Sequence, residues 1–526
     1  MTAAPARVEL RADEPARPVL EAAAETAGGK AWLVGGAVRD LLLGRPVHDW
    51  DLALPAGSVA AARRLADRVG AAFVPLGEAH GMARVVGAPG SGWRLDVADF
   101  RGPTLEADLA GRDVTVNALA VSLDAVLRGP AAVVDPTGGL ADLAIRRLRA
   151  CAPDAFRADP VRALRLVRLR HELGLAVEPA TERLARAAAP ALHGVAGERL
   201  REELTAVLRL PSCGPALRDA DRWSVIEGWL PEAAPMRAAA QSAPHRFTVW
   251  EHSLRAVEAL DGLLAELELL APHAGRVAAS LAEPLGSGLT RREVLRLATL
   301  LHDVAKPETR SVEPDGRTRF IGHDRLGAER ARAIAGRLRW PGRATEVLGR
   351  LVRQHLRPMH LGMVPEVTRR ARYRFFRDVG AEVPALVCLT IADAAATDGR
   401  TPETVYRGPT RALLDTLLAG EVEAAREAAV PPLVRGEDVM AAFALGPGPE
   451  VGRLLARARE AQALGLVRTR DEALAWLRRA AGPGSADAGV DAGPGTADPA
   501  RRTPSRCEAP PAPSAQLRRD APPRCD

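Results

Sequence analysis

The chain has 526 residues, more than a single hydrophobic core normally supports, so several domains are expected. Lys+Arg 72 against Asp+Glu 66 leaves a net charge of +6, compatible with a polyanionic partner, while an aromatic content of 3% argues against recognition of single strands chiefly by base stacking. Shape and phosphate contacts fit better.

Almost all the positive charge is arginine, with lysine only at Lys30 and Lys306. Cys151, Cys213, Cys388, Cys507 and Cys525 lack CxxC spacing, so neither a zinc site nor a disulfide framework is expected. The N-terminus has no apolar signal core, and no run approaches the roughly 18 apolar residues of a membrane span. A cytoplasmic protein without membrane association is expected. The sequence leaves its oligomeric state open.

In chain order, short β-rich runs at 31–34, 50–54, 82–86, 94–100 and 114–123 alternate with helical patterns such as 58–69. This predicts a small α/β domain over 20–150. Within it, Leu33-Val34-Gly35-Gly36-Ala37-Val38-Arg39-Asp40 precedes Asp49-Trp50-Asp51. Gly35 and Gly36 let backbone N–H groups approach a triphosphate, and Arg39 adds donors for phosphate oxygens. Asp49 and Asp51, spaced i and i+2 on a strand, project from one face and can share divalent cations. Metal-assisted nucleotide transfer is the natural chemistry. Asp96, in the alternating run 94–101, supplies a third carboxylate if its strand pairs beside the first. Asp99 falls on the opposite face and is expected to be a solvated edge residue. Arg112, Asp113 and Asn117 then combine a cation, an acid and an amide in one turn.

From about residue 153 strand signals nearly vanish and helices dominate. A helical neck is expected at 151–230, a linker at 231–244, and a second helical unit at 245–418 with loops near Pro284 and Pro314. A further helical region follows at 430–480. Beyond Gly482 the chain is Gly, Pro, Ala, Ser and Asp with almost no large apolar residue, so a disordered tail is predicted over 482–526. The fold class is therefore α+β, with a small N-terminal nucleotidyltransferase domain followed by all-helical regions.

Taken in order, GGAVRD, DWD, RDVTVNALA, DPTGG at 135–139 and ADPVRALRLVR at 158–168 resemble bacterial class II tRNA nucleotidyltransferases, the CCA-adding enzymes, and the related poly(A) polymerases. The resemblance covers roughly residues 30–210. It implies that Asp49, Asp51 and Asp96 act with Mg2+, and that Gly35, Gly36, Arg39, Arg112, Asp113 and Asn117 hold the nucleotide. Asp159 and Arg162 on the neck helix would read the Watson–Crick edge of the incoming base, with Arg165 and Arg168 extending a basic stripe toward phosphate. Read without the resemblance, Asp159 is an N-cap and the arginines are a solvated face. The chain departs from the family in having Ala158 where Glu is frequent and Gly111 where a further Arg is frequent. Only residues 102–111 join the third-carboxylate strand to Arg112, where many CCA-adding enzymes carry a long flexible segment. That shortening is similar to relatives that add CC but not the terminal A.

The second helical unit carries His252, His302-Asp303, His323, His355 and Asp393. Such mixed N/O donors suit a divalent metal such as Mn, Ni or Mg, and the pattern resembles an HD-domain phosphohydrolase. His252, His302, Asp303 and Asp393 are expected to bind the metal, and Lys306, His323 and His355 to bind phosphate.

The resulting expectation is an enzyme that adds C, with or without A, from CTP and ATP to tRNA 3′ ends, carrying a metal-dependent phosphohydrolase module. One alternative is a poly(A) polymerase, disfavoured because Glu78-Ala79-His80-Gly81-Met82 stands where those enzymes carry an Arg-rich strand motif. Another is an HD hydrolase whose N-terminal half merely binds RNA, disfavoured by the intact Asp49 and Asp51.

Overall fold

A computed structural model describes residues 6–480 apart from 12, 78–80 and 89. The expected disordered tail, Cys507, Cys525 and the stretch from Glu78 to His80 lie outside the described residues. The chain forms two compact units, Met1–Pro431 and Pro432–Asp526.

The first unit opens with a six-stranded mixed sheet built from β1 (Trp32–Val34), β2 (Asp49–Leu54), β3 (Ala72–Gly77), β4 (Met82–Val86), β5 (Arg94–Asp99) and β6 (Ala120–Ser122), in the order β3-β4-β5-β2-β1-β6. Its two faces follow from alternation. In β2, Trp50, Leu52 and Leu54 point into a core shared with Leu33, Leu95 and Val97, closed by helices Arg17–Thr26 and Ser58–Val69. Each such apolar side chain contributes roughly 1.5–3 kcal/mol on burial. The other face carries Asp49, Asp51 and Ala53, and only its far end is covered, by Leu105 and Leu109. The acidic end of that face is therefore left open for chemistry.

Four runs expected as strands form close to where alternation places them. The run at 114–123 behaves differently, because Asp113 Oδ1 accepts hydrogen bonds from Val114 N at 2.7 Å and Asn117 Nδ2 at 3.3 Å. That folds Thr115–Asn117 into a 3-10 turn and leaves only β6 extended. Strand β3 was not anticipated; it forms at the sheet edge, where the missing N–H of Pro75 is tolerated. Asp99 is not a solvated edge residue. Its Oδ1 accepts from Ser58 N at 2.8 Å, where the helix Ser58–Val69 offers unpaired amides.

Helices dominate the remainder. We label α1 (Gly36–Leu42), α2 (Leu105–Ala110), α3 (Val161–Leu173), α4 (Gly197–Arg209), α5 (Val249–Ala265), α6 (Arg291–Leu301), α7 (His323–Arg337), α8 (Gly342–Gln354) and α9 (Val383–Asp398). The stretch read as a linker contains the helix Ala233–Ala238, anchored by buried Ala233 and Met236. The loops near Pro284 and Pro314 are short hairpins. Helix α9 is apolar on nearly every side and is buried accordingly. It lies in Arg369–Asp398, a stretch long and apolar enough to cross a membrane, yet 83% of its most apolar window is buried within the fold. The second unit packs helices Gly436–Phe443, Pro449–Ala463 and Arg470–Ala480 around Val439, Leu454 and Leu477.

Candidate active sites

Parallel pairing of β2 with β5 sets Asp51 directly beside Asp96, and Asp49 beside Arg94. Three carboxylates thus converge on one face. Burial, reinforced by Asp96 and Asp49, pushes the Asp51 carboxyl up to about 6 against the opposing pull of Arg112. Arg84, opposite Asp96 in the antiparallel β4–β5 pair, grips that carboxylate through Nε at 2.6 Å and Nη2 at 2.8 Å. Arg94 lies 2.7 Å from Asp49. Neither arginine could be singled out from sequence, because its meaning depends on strand register.

The glycine loop follows directly. Gly35 has φ +73°, and a Cβ there would sit 2.9 Å from Arg112 Nη1 and 3.3 Å from Asp51 Oδ2. A side chain would fill the space between cation and carboxylate, so glycine keeps open a cradle there. Arg39 is buried at the start of the loop helix α1. Its guanidinium grips Asp40 at 2.9 and 3.0 Å and donates to Asn117 Oδ1 at 2.5 Å. It therefore braces the loop against the Asn117 turn.

The neck residues are brought to the same region but are heavily engaged. Arg162 donates to the carbonyls of Ala155 and Gly111, each at 3.0 Å, while its Nε is unpartnered and 3.6 Å from Asp159 Oδ2. Asp159 makes no cap for α3; Oδ2 accepts from Arg199 at 2.7 Å, and Oδ1 has no partner. Arg165 pairs with Glu203 at 2.6 Å and faces Asp113 at 3.5 Å, and Arg168 pairs with Glu203 and Glu172. Burial alone would raise the Glu203 carboxyl, but Arg165 and Arg168 hold it below its usual range.

The 102–111 connection contains the compact helix α2, capped by Thr104. Buried Asp108 receives Arg101 N at 3.1 Å on one oxygen and Arg112 Nε and Nη2 at 3.2 and 3.0 Å on the other. The i,i+4 spacing of Asp108 and Arg112 is a sequence signal that could have found this pair.

In the helical region, α5 supplies His252, the end of α6 supplies His302 and Asp303, the start of α7 supplies His323, the end of α8 supplies His355, and α9 supplies Asp393. All six are buried. His252 Nε2 lies 2.9 Å from Asp393 Oδ1 and 3.2 Å from His302 Nε2, and His302 Nε2 lies 3.2 Å from Asp303 Oδ2. His323 and His355 face the other oxygen, with Nε2 to Oδ1 distances of 3.4 and 3.7 Å. Burial would lower the His302 imidazole, but Asp303 and Asp393 outweigh it and push it up to about 10. Lys306 Nζ sits 2.7 Å from Asp303 Oδ2 and donates to Gln241 Oε1 at 2.7 Å. His245, also unanticipated, stacks edge-on against His252 with ring centroids 5.1 Å apart.

A glycine cradle beside strand-borne carboxylates, on a mixed sheet leading into a helical neck, defines a nucleotidyltransferase. Comparison with known proteins agrees. The Poly A polymerase head domain matches residues 31–149, the probable RNA and SrmB-binding site of polymerase A matches 174–237, and the HD domain matches 249–398. The chain is 38% identical to the A-adding tRNA nucleotidyltransferase of Deinococcus radiodurans, over 85% of this chain and 95% of that protein. It is 37% identical to the CC-adding tRNA nucleotidyltransferase of Thermus thermophilus, over 85% and 93% respectively. A solved CCA-adding enzyme in its apo form shares the fold with a TM-score of 0.54 at 19% identity, covering 88% of this chain and 93% of that one. The chain belongs to the tRNA nucleotidyltransferase family of enzymes, and it carries an HD domain.

Proposed function

We propose that the enzyme adds C residues from CTP to the 3′ end of tRNA and stops at CC. The observation that carries the transfer reaction is the Gly35 cradle opening between Arg112 and Asp51. A donor lining and three adjacent carboxylates suit a nucleoside triphosphate with Mg2+. The donor set fits the ion, because the carboxylates crowd one another and a divalent cation would relieve their repulsion. When bound, Mg2+ supplies charge neutralisation for the attacking and departing oxygens. Asp49, Asp51 and Asp96 hold it in place, Gly35 and Gly36 admit the phosphates, and Asp159 offers a free acceptor to the base edge.

The stop at CC is supported by the connection through α2. Changing preference from CTP to ATP requires the pocket to rearrange, and here Asp108 ties the connector to Arg112 while Gly111 ties it to Arg162. A second reading, an enzyme adding only the terminal A, is favoured by the similarity to the Deinococcus protein. ATP would then replace CTP as substrate. Both readings describe a pocket of one fixed specificity. Transcripts ending at the discriminator base, after one C, or after CC, each incubated with CTP, ATP or both, separate them. Efficient appearance of CCA from the first transcript would reject both.

The HD domain completes the proposal as a metal-dependent phosphohydrolase in which His252, His302, Asp303 and Asp393 hold Mn, Ni or Mg, with Lys306 placed for a phosphate oxygen. The fit rests on buried donors aimed inward and on Asp303, neither of whose oxygens has an aligned hydrogen-bond donor. Metal-stimulated hydrolysis of 2′,3′-cyclic AMP by the full chain tests it. A cytoplasmic location suits an enzyme working on tRNA.

A further inference from the structure

We propose that Arg84 is a positioning residue that competes with the divalent cation for Asp96, so that the metal loads onto the transferase face together with the nucleoside triphosphate and not before it. This rests on reading Asp49, Asp51 and Asp96 as the Mg2+ ligands.

Strand register sets up the competition. β4 and β5 pair antiparallel with Arg84 opposite Asp96, and β5 and β2 pair in parallel with Asp96 beside Asp51. Arg84, Asp96 and Asp51 therefore form one row across three strands, on the face that carries the carboxylates. The guanidinium meets Asp96 as a fork, with Nε 2.6 Å from one oxygen and Nη2 2.8 Å from the other. Both oxygens of the third carboxylate are thus taken by charged donors, in the planar arrangement that makes such pairs strong. A cation that draws on Asp96 must take at least one oxygen away from Arg84.

The neighbouring arginines place no such demand on it. The side chains of Arg94 and Asp49, 2.7 Å apart, are 42% and 63% exposed, against 28% and 26% for Arg84 and Asp96. Water and salt screen the more exposed pair, so Arg94 gives up Asp49 at little cost. Arg112 is engaged by Asp108 at 3.0 and 3.2 Å.

Charge then sets the order of loading. With Asp96 neutralised by Arg84, the face offers a dication chiefly Asp49 and Asp51, and Mg2+ characteristically needs substrate phosphates beside one or two carboxylates. A triphosphate brings those ligands, and its oxygens accept the same guanidinium fork that Asp96 releases. The negative surroundings of Arg84 extend beyond Asp96 to Asp49 and to Glu202, which is exposed on the neck helix α4. A guanidinium that lets go of Asp96 is therefore not stranded among cations.

Mn2+ calorimetry on the nucleotide-free full chain tests this. Arg84→Met should bind Mn2+ at the transferase face about tenfold more tightly than the parent, the scale of a lost charged hydrogen-bond pair. Adding Asp51→Asn should remove that event and leave ion binding at the HD centre in place. With CTP present and no tRNA, the parent and Arg84→Met should converge. An affinity in Arg84→Met equal to or weaker than the parent's would overturn the proposal, and is the outcome expected of an arginine that only holds the fold. Should Arg84→Met melt early by circular dichroism, Arg84→Lys decides: its ammonium keeps the charge without the fork, so Mn2+ should still bind more tightly than in the parent, and no gain overturns the proposal. If no Mn2+ event depends on Asp51, with or without CTP, the metal reading of the carboxylates fails; an Asp51-dependent event indifferent to Arg84 defeats only the competition.

Discussion

Arg162 donates from Nη2 to the carbonyl of Gly111, 51 residues earlier, at 3.0 Å. The neck helix that would present Asp159 and Arg162 to a base is thereby fastened to the last turn of the connector leaving the third-carboxylate strand. Base reading and catalysis, as proposed, would share that joint. Asp108→Ala should loosen that joint, costing about 1.5–3 kcal/mol for the lost charged hydrogen bonds. C incorporation should slow more than CTP binding weakens, because Arg112 is displaced from one wall of the cradle while Gly35, Gly36 and Arg39 stay in place. Steady-state kinetics check this, and a change in stability with kcat intact would show Asp108 to be only a fold determinant.

Asp51, a proposed metal ligand, sits where its charged form is disfavoured. Its folded value near 6 exceeds the usual 3.8, so its charged form is disfavoured by folding and the metal-free enzyme should lose stability as pH rises from about 4 through about 6. Asp51→Asn should therefore raise metal-free stability at pH 8 by about 1–2 kcal/mol after discounting for solvent screening, while removing nearly all nucleotide incorporation. Chemical denaturation with and without Mg2+ checks it; added Mg2+ should narrow the difference.

Asp159→Ala removes the unpartnered acceptor Oδ1 and the anchor of Arg199. Discrimination between CTP and UTP should fall about tenfold or more, consistent with about 1–3 kcal/mol for a base-edge contact, with tRNA binding little changed. Single-nucleotide competition assays measure it. Unaltered selectivity would remove Asp159 from base reading.

His302→Ala should abolish metal-stimulated hydrolysis of 2′,3′-cyclic AMP and spare nucleotide addition, since the two sites use separate donor sets. Parallel assays on one preparation test this. Equal loss of both would mark the metal as structural.

Glu203 stands between Arg165 and Arg168 and is held below its ordinary 4.5. Its contribution is fully present above about 4.5 and is lost as pH falls through the folded value, where the unfolded chain has already taken up its proton. Glu203→Gln should lower stability at pH 7 and flatten the acid limb of a stability-against-pH curve. An unchanged acid limb would mean that the pair contributes nothing net.

What the sequence revealed and what it hid divide along a physical line. Period-two alternation placed Asp49 and Asp51 on one face, and local glycine chemistry placed the cradle beside them. Parallel pairing with β5 is a long-range event, so Arg84 and Arg94 acquired meaning only with the register. Asp99 misled for a related reason: alternation gives its face but not the helix end packed there. In the HD region, sequence order supplied the seven metal and phosphate candidates. Which oxygen of Asp303 each imidazole meets depends on how four helices approach one another, and no local pattern encodes that.

Arg296 gives the architecture a further meaning. This fully buried guanidinium on α6 donates to the carbonyls of Leu208, Leu210 and Pro211 at 2.5, 2.7 and 2.9 Å, and lies 2.7 Å from Asp261. Just past the C-terminal end of α6 come His302 and Asp303. The neck therefore ends inside the framework that presents the HD-centre side chains, and a gene cut between the two matched regions would remove three carbonyl acceptors from Arg296 and leave Asp261 as its remaining partner. The transferase and HD domains are braced through one buried arginine, and truncation is the wrong instrument for studying either alone.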